Sequence, residues 1–292
     1  MYHLKPHAIL PARNILGEGV LWDSRRQALW WTDIHGHRLH RHDWSRGTME
    51  CFETPERVCS FGLVESSEQL ITAFASGIAL YEPRQQQIEW LTRPQLPAGA
   101  RFNDGRVDRR GRFWSGTMIE GAQPRAEACL YSISASGATR CQVRGVTISN
   151  GLCFSPDGGQ MYFADSPTRL IQQFDLLEPE GLLSAPRPFA STGPGAYPDG
   201  ATIDADGCLW IAHWGAGRVV RYTPDGREDR TVLIPTAQPS CVCFGGPDLD
   251  ILCVTTARDG LDSAALAKEP NAGDVFLFRV DIKGMPECEY RR

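Results

Sequence analysis

The feature that most constrains this chain is a repeat. Six segments about 45 residues apart follow one pattern: a short apolar strand, a polar turn, a second strand rich in aromatic or β-branched residues, and a small or polar stop. They read GVLWDSRRQALWWTD, GLVESSEQLITAF, GRVDRRGRFWSGT, GLCFSPDGGQMYFAD, GATIDADGCLWIAHW and CVCFGGPDLDILCVTT. Their first turn residues are Asp23, Glu65, Asp108, Ser155, Asp204 and Gly245, at intervals of 42, 43, 47, 49 and 41 residues. Each interval is the length of one four-stranded propeller blade. Turns such as SPDGG and DADG put Asp and Gly where a tight strand connection needs positive φ. No helical periodicity of useful length competes with this pattern.

The spacing therefore predicts an all-β, six-bladed β-propeller. Six repeats use nearly all of the 292 residues, so residues 1–292 form a single domain in this reading. Segments between the hairpins, such as LYSISASGATRCQV and RVVRYTPDGRE, supply the outer strands of their blades. Residues 7–10 precede the first repeat and read as a spare strand. Paired with the last blade near residues 274–281, it would close the ring and remove its free edges.

The innermost strands of a propeller line a shared channel. Five residues before each turn anchor stand Glu18, Ser60, Asn103, Asn150, Asp199 and Ser240, and all six carry side-chain oxygen. Convergence of these groups on one axis predicts a hard-oxygen metal site in the central channel, suited to Ca²⁺, Mg²⁺ or Mn²⁺ rather than a thiol-seeking ion. A cation would also relieve the repulsion between Glu18 and Asp199. The same residues could instead solvate a water-filled hole.

Composition excludes other classes. A net charge of -5 offers no basic field for nucleic acid or an anionic membrane. Residues 1–13 lack the apolar stretch of an export signal, and no run approaches the length that spans a bilayer, so a cytoplasmic protein is expected. Of the ten cysteines, Cys129, Cys153, Cys208 and Cys253 lie in apolar strands and read as buried free thiols. Cys241 and Cys243 have no second pair to complete a zinc site. The run HGHRLHRH, holding His35, His37, His40 and His42, reads as a solvated hairpin loop; His213 is a candidate to face the channel. No G-x-S-x-G elbow, H-E-x-x-H helix or dinucleotide glycine pattern is present. Trp30, Trp114 and Trp210 read as blade packing.

Seven segments in order across residues 16–260, LGEGVLWD, RFNDGRVD, GTM, ISNGLCFSPDG, YPDGATID, SCVCFGG and TARDG, resemble the regucalcin/gluconolactonase (senescence marker protein) family. The resemblance implies a six-bladed propeller with one divalent ion in its channel, Ca²⁺, Mg²⁺, Mn²⁺, Zn²⁺ or Fe²⁺. It implies hydrolysis of a five- or six-carbon aldonolactone by a monomer. It assigns metal ligation to Glu18, Asn150 and Asp199, with Asp199 also the catalytic base. Arg101 and Asn103 bind substrate in this reading, and Asp104 binds water or substrate at the rim. Where some members have two adjacent acids after GTM, this chain has Glu120 then Gly121, so the sugar contact falls to Glu120 or is lost. Esterase or organophosphate hydrolase activity on the same site, or calcium binding without catalysis, are the rival readings.

Overall fold

In the computed structural model, which describes residues 4–292 apart from Ala122 and Pro124, six antiparallel sheets stand around one axis. The three residues at the very start of the segment read as lacking an export signal lie outside the described residues. The inner strands are Gly17–Asp23, Val58–Val64, Ala100–Val107, Ser149–Phe154, Tyr197–Ile203 and Pro239–Gly245. Each packs against the next, and the sixth packs against the first. Ala128–Ile133 with Thr139–Val146, and Arg218–Tyr222 with Glu228–Leu233, form the outer strands of the third and fifth blades. The fourth blade departs from the pattern: Leu170–Leu177 pairs with both Leu182–Leu183 and Arg187–Ser191.

In the third and fifth blades the repeat's turn aspartate explains why the inner hairpin forms. Asp108 accepts the backbone N–H of Arg110 and Arg112 and the indole N–H of Trp114, and Asp204 does the same for Asp206, Cys208 and Trp210. One carboxylate thus closes the turn and pins the aromatic ring six residues on. The pinned rings are fully buried between blades. Trp114 packs with Phe154, Met161 and Phe163 of the fourth blade, and Trp210 with Val242, Phe244 and Leu252 of the sixth. The core therefore lies between sheets, where each large apolar side chain contributes about 1.5–3 kcal/mol on burial.

Two termini lock the ring. Ala8–Leu10 pairs antiparallel with Val275–Arg279, from Ala8 opposite Leu277 to Leu10 opposite Val275, so the first strand completes the last blade. The C-terminal tail was not anticipated. It leaves the sixth blade, bridges Gly284 to Asp204, and ends as Glu289–Tyr290, parallel to the second blade's inner strand. No helix among the described residues is long and apolar enough to cross a membrane.

Candidate active site

Every inner strand carries a register irregularity at or beside the repeat's polar position. A bulge of this kind re-aims one side chain out of the strand's alternation. After Glu18 and Asn150 it is made by Gly19 and Gly151, at φ of 58° and 66°, a conformation open to glycine at little cost. Gly200, which follows Asp199, is required for a different reason: a Cβ there would stand 2.5 Å from Cys241 Sγ of the next blade.

Four of the six polar positions, Glu18, Asn103, Asn150 and Asp199, line one cavity of about 350 Å³ at the channel mouth. The other two do not. Ser60 and Ser240 are fully buried; Ser60 hydrogen-bonds Ser115 of the third blade at 3.1 Å, and Ser240 donates to the Gly17 carbonyl of the first. The expected ring of six oxygens is therefore a cup of four, with the two serines acting as ties between blades. In the second blade the irregularity falls one step early, which leaves Ser60 in register with Ala73.

Asp104 is also displaced from the place expected for it. Its carboxylate accepts the N–H of Leu152 and Gly105 and faces a small void with Arg106, Cys241 and Glu287, beneath the cup rather than at its rim. Burial raises its pKa.

The floor of the cup is electrostatically strained. Burial, then the nearby Asp104 charge, pushes Glu18 up to about 8, and burial followed by Glu18 and Asp104 raises Asp199 well above the carboxylate range. Two desolvated carboxylates and an amide oxygen suit a hard divalent ion, which would reverse both shifts. Among the described residues no three His, Cys, Asp or Glu gather into a conventional cluster. The third donor here is the Asn150 amide.

A hydrogen-bonded chain runs around the wall. Arg57 grips Glu120 through both oxygens at 2.7 and 3.0 Å, and Arg101 Nε donates to Glu120 at 2.9 Å. Arg101 Nη1 donates to the Phe102 carbonyl and to Asn103 Oδ1, and Asn103 Nδ2 donates to the Ser149 carbonyl and to Asn150 Oδ1. Burial pushes Glu120 up, but the hydrogen bonds and charges of Arg57 and Arg101 outweigh it and hold the group down at about 2. Glu120 is thus a charged clamp on Arg101.

The cavity also recruits residues that the repeat does not single out, among them His35, which was expected in a solvated loop. Tyr197 and Trp214, cross-strand partners in the fifth blade, supply apolar lining together with Met118 and Ile148. His35 and Asp259 add to the polar lining supplied by Arg101 and Glu120. His35 sits in a turn braced by buried Asp33, which accepts from Ile15, Leu16 and Gly36, and burial lowers its pKa. The run expected to be a loop is instead largely the strand Arg38–Asp43, with His40 buried against Trp31. His213 does not reach the cavity; Arg218 and Tyr222 hold it, and burial takes it to about 3. The only signal for Trp214 was its place at the end of the IAHW strand. His35, in the first connection, had no counterpart in the repeat.

Six blades around a channel, with a ligand-sized cavity and a hard-oxygen floor at one mouth, define a small-molecule-binding propeller. The chain belongs to the family described as SMP-30/Gluconolactonase/LRE-like region, whose model matches residues 16–258. It is 41% identical to L-arabinolactonase of Azospirillum brasilense over 95% of this chain and 93% of that protein. It is 39% identical to 6-deoxy-6-sulfogluconolactonase of Pseudomonas putida over 94% of each. Among solved structures, a calcium-binding regucalcin of Agrobacterium tumefaciens str. C58 superposes with a TM-score of 0.93 at 30% identity, covering 100% of this chain and 99% of that one.

Proposed function

We propose that the protein hydrolyses a five- or six-carbon aldonolactone to the aldonic acid, using one divalent ion held by Glu18, Asn150 and Asp199. The observation that carries this reading is the mixed apolar and polar lining of the cavity above the cup. A sugar lactone has an apolar C–H face and a hydroxyl edge, and the lining offers partners for both, Tyr197 and Trp214 for the first and Arg101, His35 and Asp259 for the second. A volume near 350 Å³ is at the small end of ligand pockets, which suits one sugar ring. The lactonase names of the two relatives point to the same chemistry.

When bound, the ion would supply Lewis-acid polarisation of the lactone carbonyl. Asp199 takes a proton from the attacking water, whose oxygen bonds to the carbonyl carbon. The ring C–O bond then breaks, and the ring oxygen receives a proton to give the open acid. Arg101 and Asn103 hold the substrate's oxygens, with Glu120 fixing the guanidinium so that little side-chain entropy is lost on binding. Neutral His35 both donates and accepts, as a sugar hydroxyl requires.

The test is lactone hydrolysis followed by proton release, after chelation and re-addition of single metals. Activity is expected to vanish with chelator and return with at least one divalent ion. Undiminished turnover in chelated protein would remove the metal from the mechanism; hydrolysis of aryl esters but of no aldonolactone would replace the substrate class.

A further inference from the structure

An amide ligand presents a problem that a carboxylate does not: one of its two terminal atoms is an oxygen that can hold a cation, and the other is an NH₂ group that repels it. Half of the possible orientations of Asn150 would defeat metal binding. The hydrogen-bond chain that determines the orientation ends at both sides on a backbone carbonyl, and a carbonyl can only accept.

On one side Asn103 Nδ2 donates to the Ser149 carbonyl at 2.9 Å, which identifies it as the nitrogen, so the Asn150 atom it reaches at 3.0 Å must be the oxygen. On the other side Ser166 Oγ lies 2.7 Å from the Pro198 carbonyl. Its single proton is committed there. The hydroxyl can then serve Asn150 only as an acceptor, and the atom 2.8 Å away must be Nδ2. The two ends agree on one orientation.

The geometry points to Ser166 as the positioning residue that turns the Asn150 oxygen towards the ion, and this rests on the metal-binding reading given above. Three features make the serine suitable. It is 5% exposed, so water does not readily replace it. It opens a short 3-10 turn, Ser166–Thr168, beginning one residue after the strand Gln160–Asp165, so its backbone is anchored. Its second partner, Pro198, immediately precedes Asp199 on the next blade. One hydroxyl therefore ties two of the three ligands together across a blade boundary. Ligand-orienting groups of this kind typically change metal affinity 10- to 100-fold when removed.

Calorimetric titration of the chelated, full-length protein with Ca²⁺ and with Mn²⁺ tests the assignment. Ser166→Ala should weaken binding roughly 10- to 100-fold, and Ser166→Cys, a poorer hydrogen-bonding group of similar shape, should fall between it and the natural chain. A structural role alone would produce the same ranking, so the deciding arm is Asn150→Asp. A carboxylate has two equivalent oxygens and needs no orientation. In that background Ser166→Ala should cost less than about threefold, a clear departure from additivity. Equal losses in both backgrounds, or a Ser166→Ala protein that binds within twofold of the natural chain, would overturn the assignment. If Ser166→Ala does not fold, the Cys variant carries the same cycle. Absence of binding in the natural chain would instead refute the metal-binding reading.

Discussion

The two ends of the central channel are built from the same six inner strands and differ in almost everything else. At one end polar side chains re-aimed by bulges surround an open cavity of about 350 Å³. At the other, residues 284–292 run across the opening and leave internal voids of about 10 Å³. The closing contacts are polar but paired. Arg106 meets Glu287 at 2.5 Å and donates to the Ala201 carbonyl, Arg109 reaches Cys288 and the Pro286 carbonyl, and Tyr290 donates to Ser134. The floor of the open end gathers the like charges of Glu18 and Asp199, which favour a ligand; the closed end matches unlike charges and favours the fold. A channel with one mouth also gives small molecules access only from the side that holds Glu18, Asn150 and Asp199.

This contrast predicts that changes at the two ends separate activity from stability. The largest effect is expected for Glu18→Gln and Asp199→Asn. Each should reduce kcat by at least ~10³-fold, the several kcal/mol assigned to metal chemistry, and weaken metal binding. The thermal midpoint of the chelated protein should not fall, because a buried carboxylate repulsion has been removed. Proton-release assays and calorimetry check both halves, and retained activity in either variant would break the comparison at its open end.

At the closed end Glu287→Ala leaves the half-buried Arg106 without its carboxylate partner, a loss of about 1.5–3 kcal/mol. Denaturant unfolding should show it, while kcat per folded molecule changes by less than about threefold. A loss of turnover without a loss of stability would mean that the tail serves catalysis.

Arg101→Ala sharpens the division within the cavity itself. It should lower kcat/KM for aldonolactones roughly 10- to 100-fold, as expected for loss of a charged hydrogen bond, and leave metal affinity nearly unchanged. Calorimetric loss of metal binding here would show that the arginine supports the cup rather than the substrate.

Gly121 faces the cavity, and a Cβ there would meet no atom within 4 Å, so Gly121→Glu can restore a second acid. Its φ of 139° makes any side chain strained, so the shift in preference between five- and six-carbon lactones should be no more than roughly tenfold. An unchanged ranking of xylono-, arabinono-, galactono- and gluconolactone would show that this position does not read the sugar.

The smallest effect concerns pH. Glu120 has its pKa depressed to about 2 in the folded state, so its clamp contributes stability that is present above the ordinary value of 4.5 and lost as pH falls through about 2. Glu120→Gln should flatten that part of the acid unfolding curve and leave stability at pH 6–8 the least altered in its pH dependence. An identical acid limb in both proteins would show that the Arg57 and Arg101 contacts do not set the charge.

The fold was legible because the repeat is a local code. Each blade writes its own strands and turns within about 45 consecutive residues, and in the third and fifth blades the turn aspartate also pins a tryptophan, Asp108 with Trp114 and Asp204 with Trp210. The same phase located Glu18, Asn103, Asn150 and Asp199, since equivalent positions of stacked repeats face the same axis.

Three things lay beyond the repeat. One was the direction of the two serines: in the second blade the irregularity falls one residue early and Ser60 turns between blades, while Ser240, in the same register as Asp199, is held by the Gly17 carbonyl and Thr255, and an average period carries no such detail. Another was the set of wall residues. His35, Tyr197, Trp214 and Asp259 come from blades one, five and six, and only ring closure brings them together. The last was the tail, whose partners Arg106, Ser134 and Asp204 are far away in sequence. By itself the sequence determined the blades and the floor of the site, because these depend on short-range pattern. Only the tertiary structure decided the walls, the orientation of Asn150 and the closed end, because these depend on contacts between segments that are neighbours solely in the closed ring.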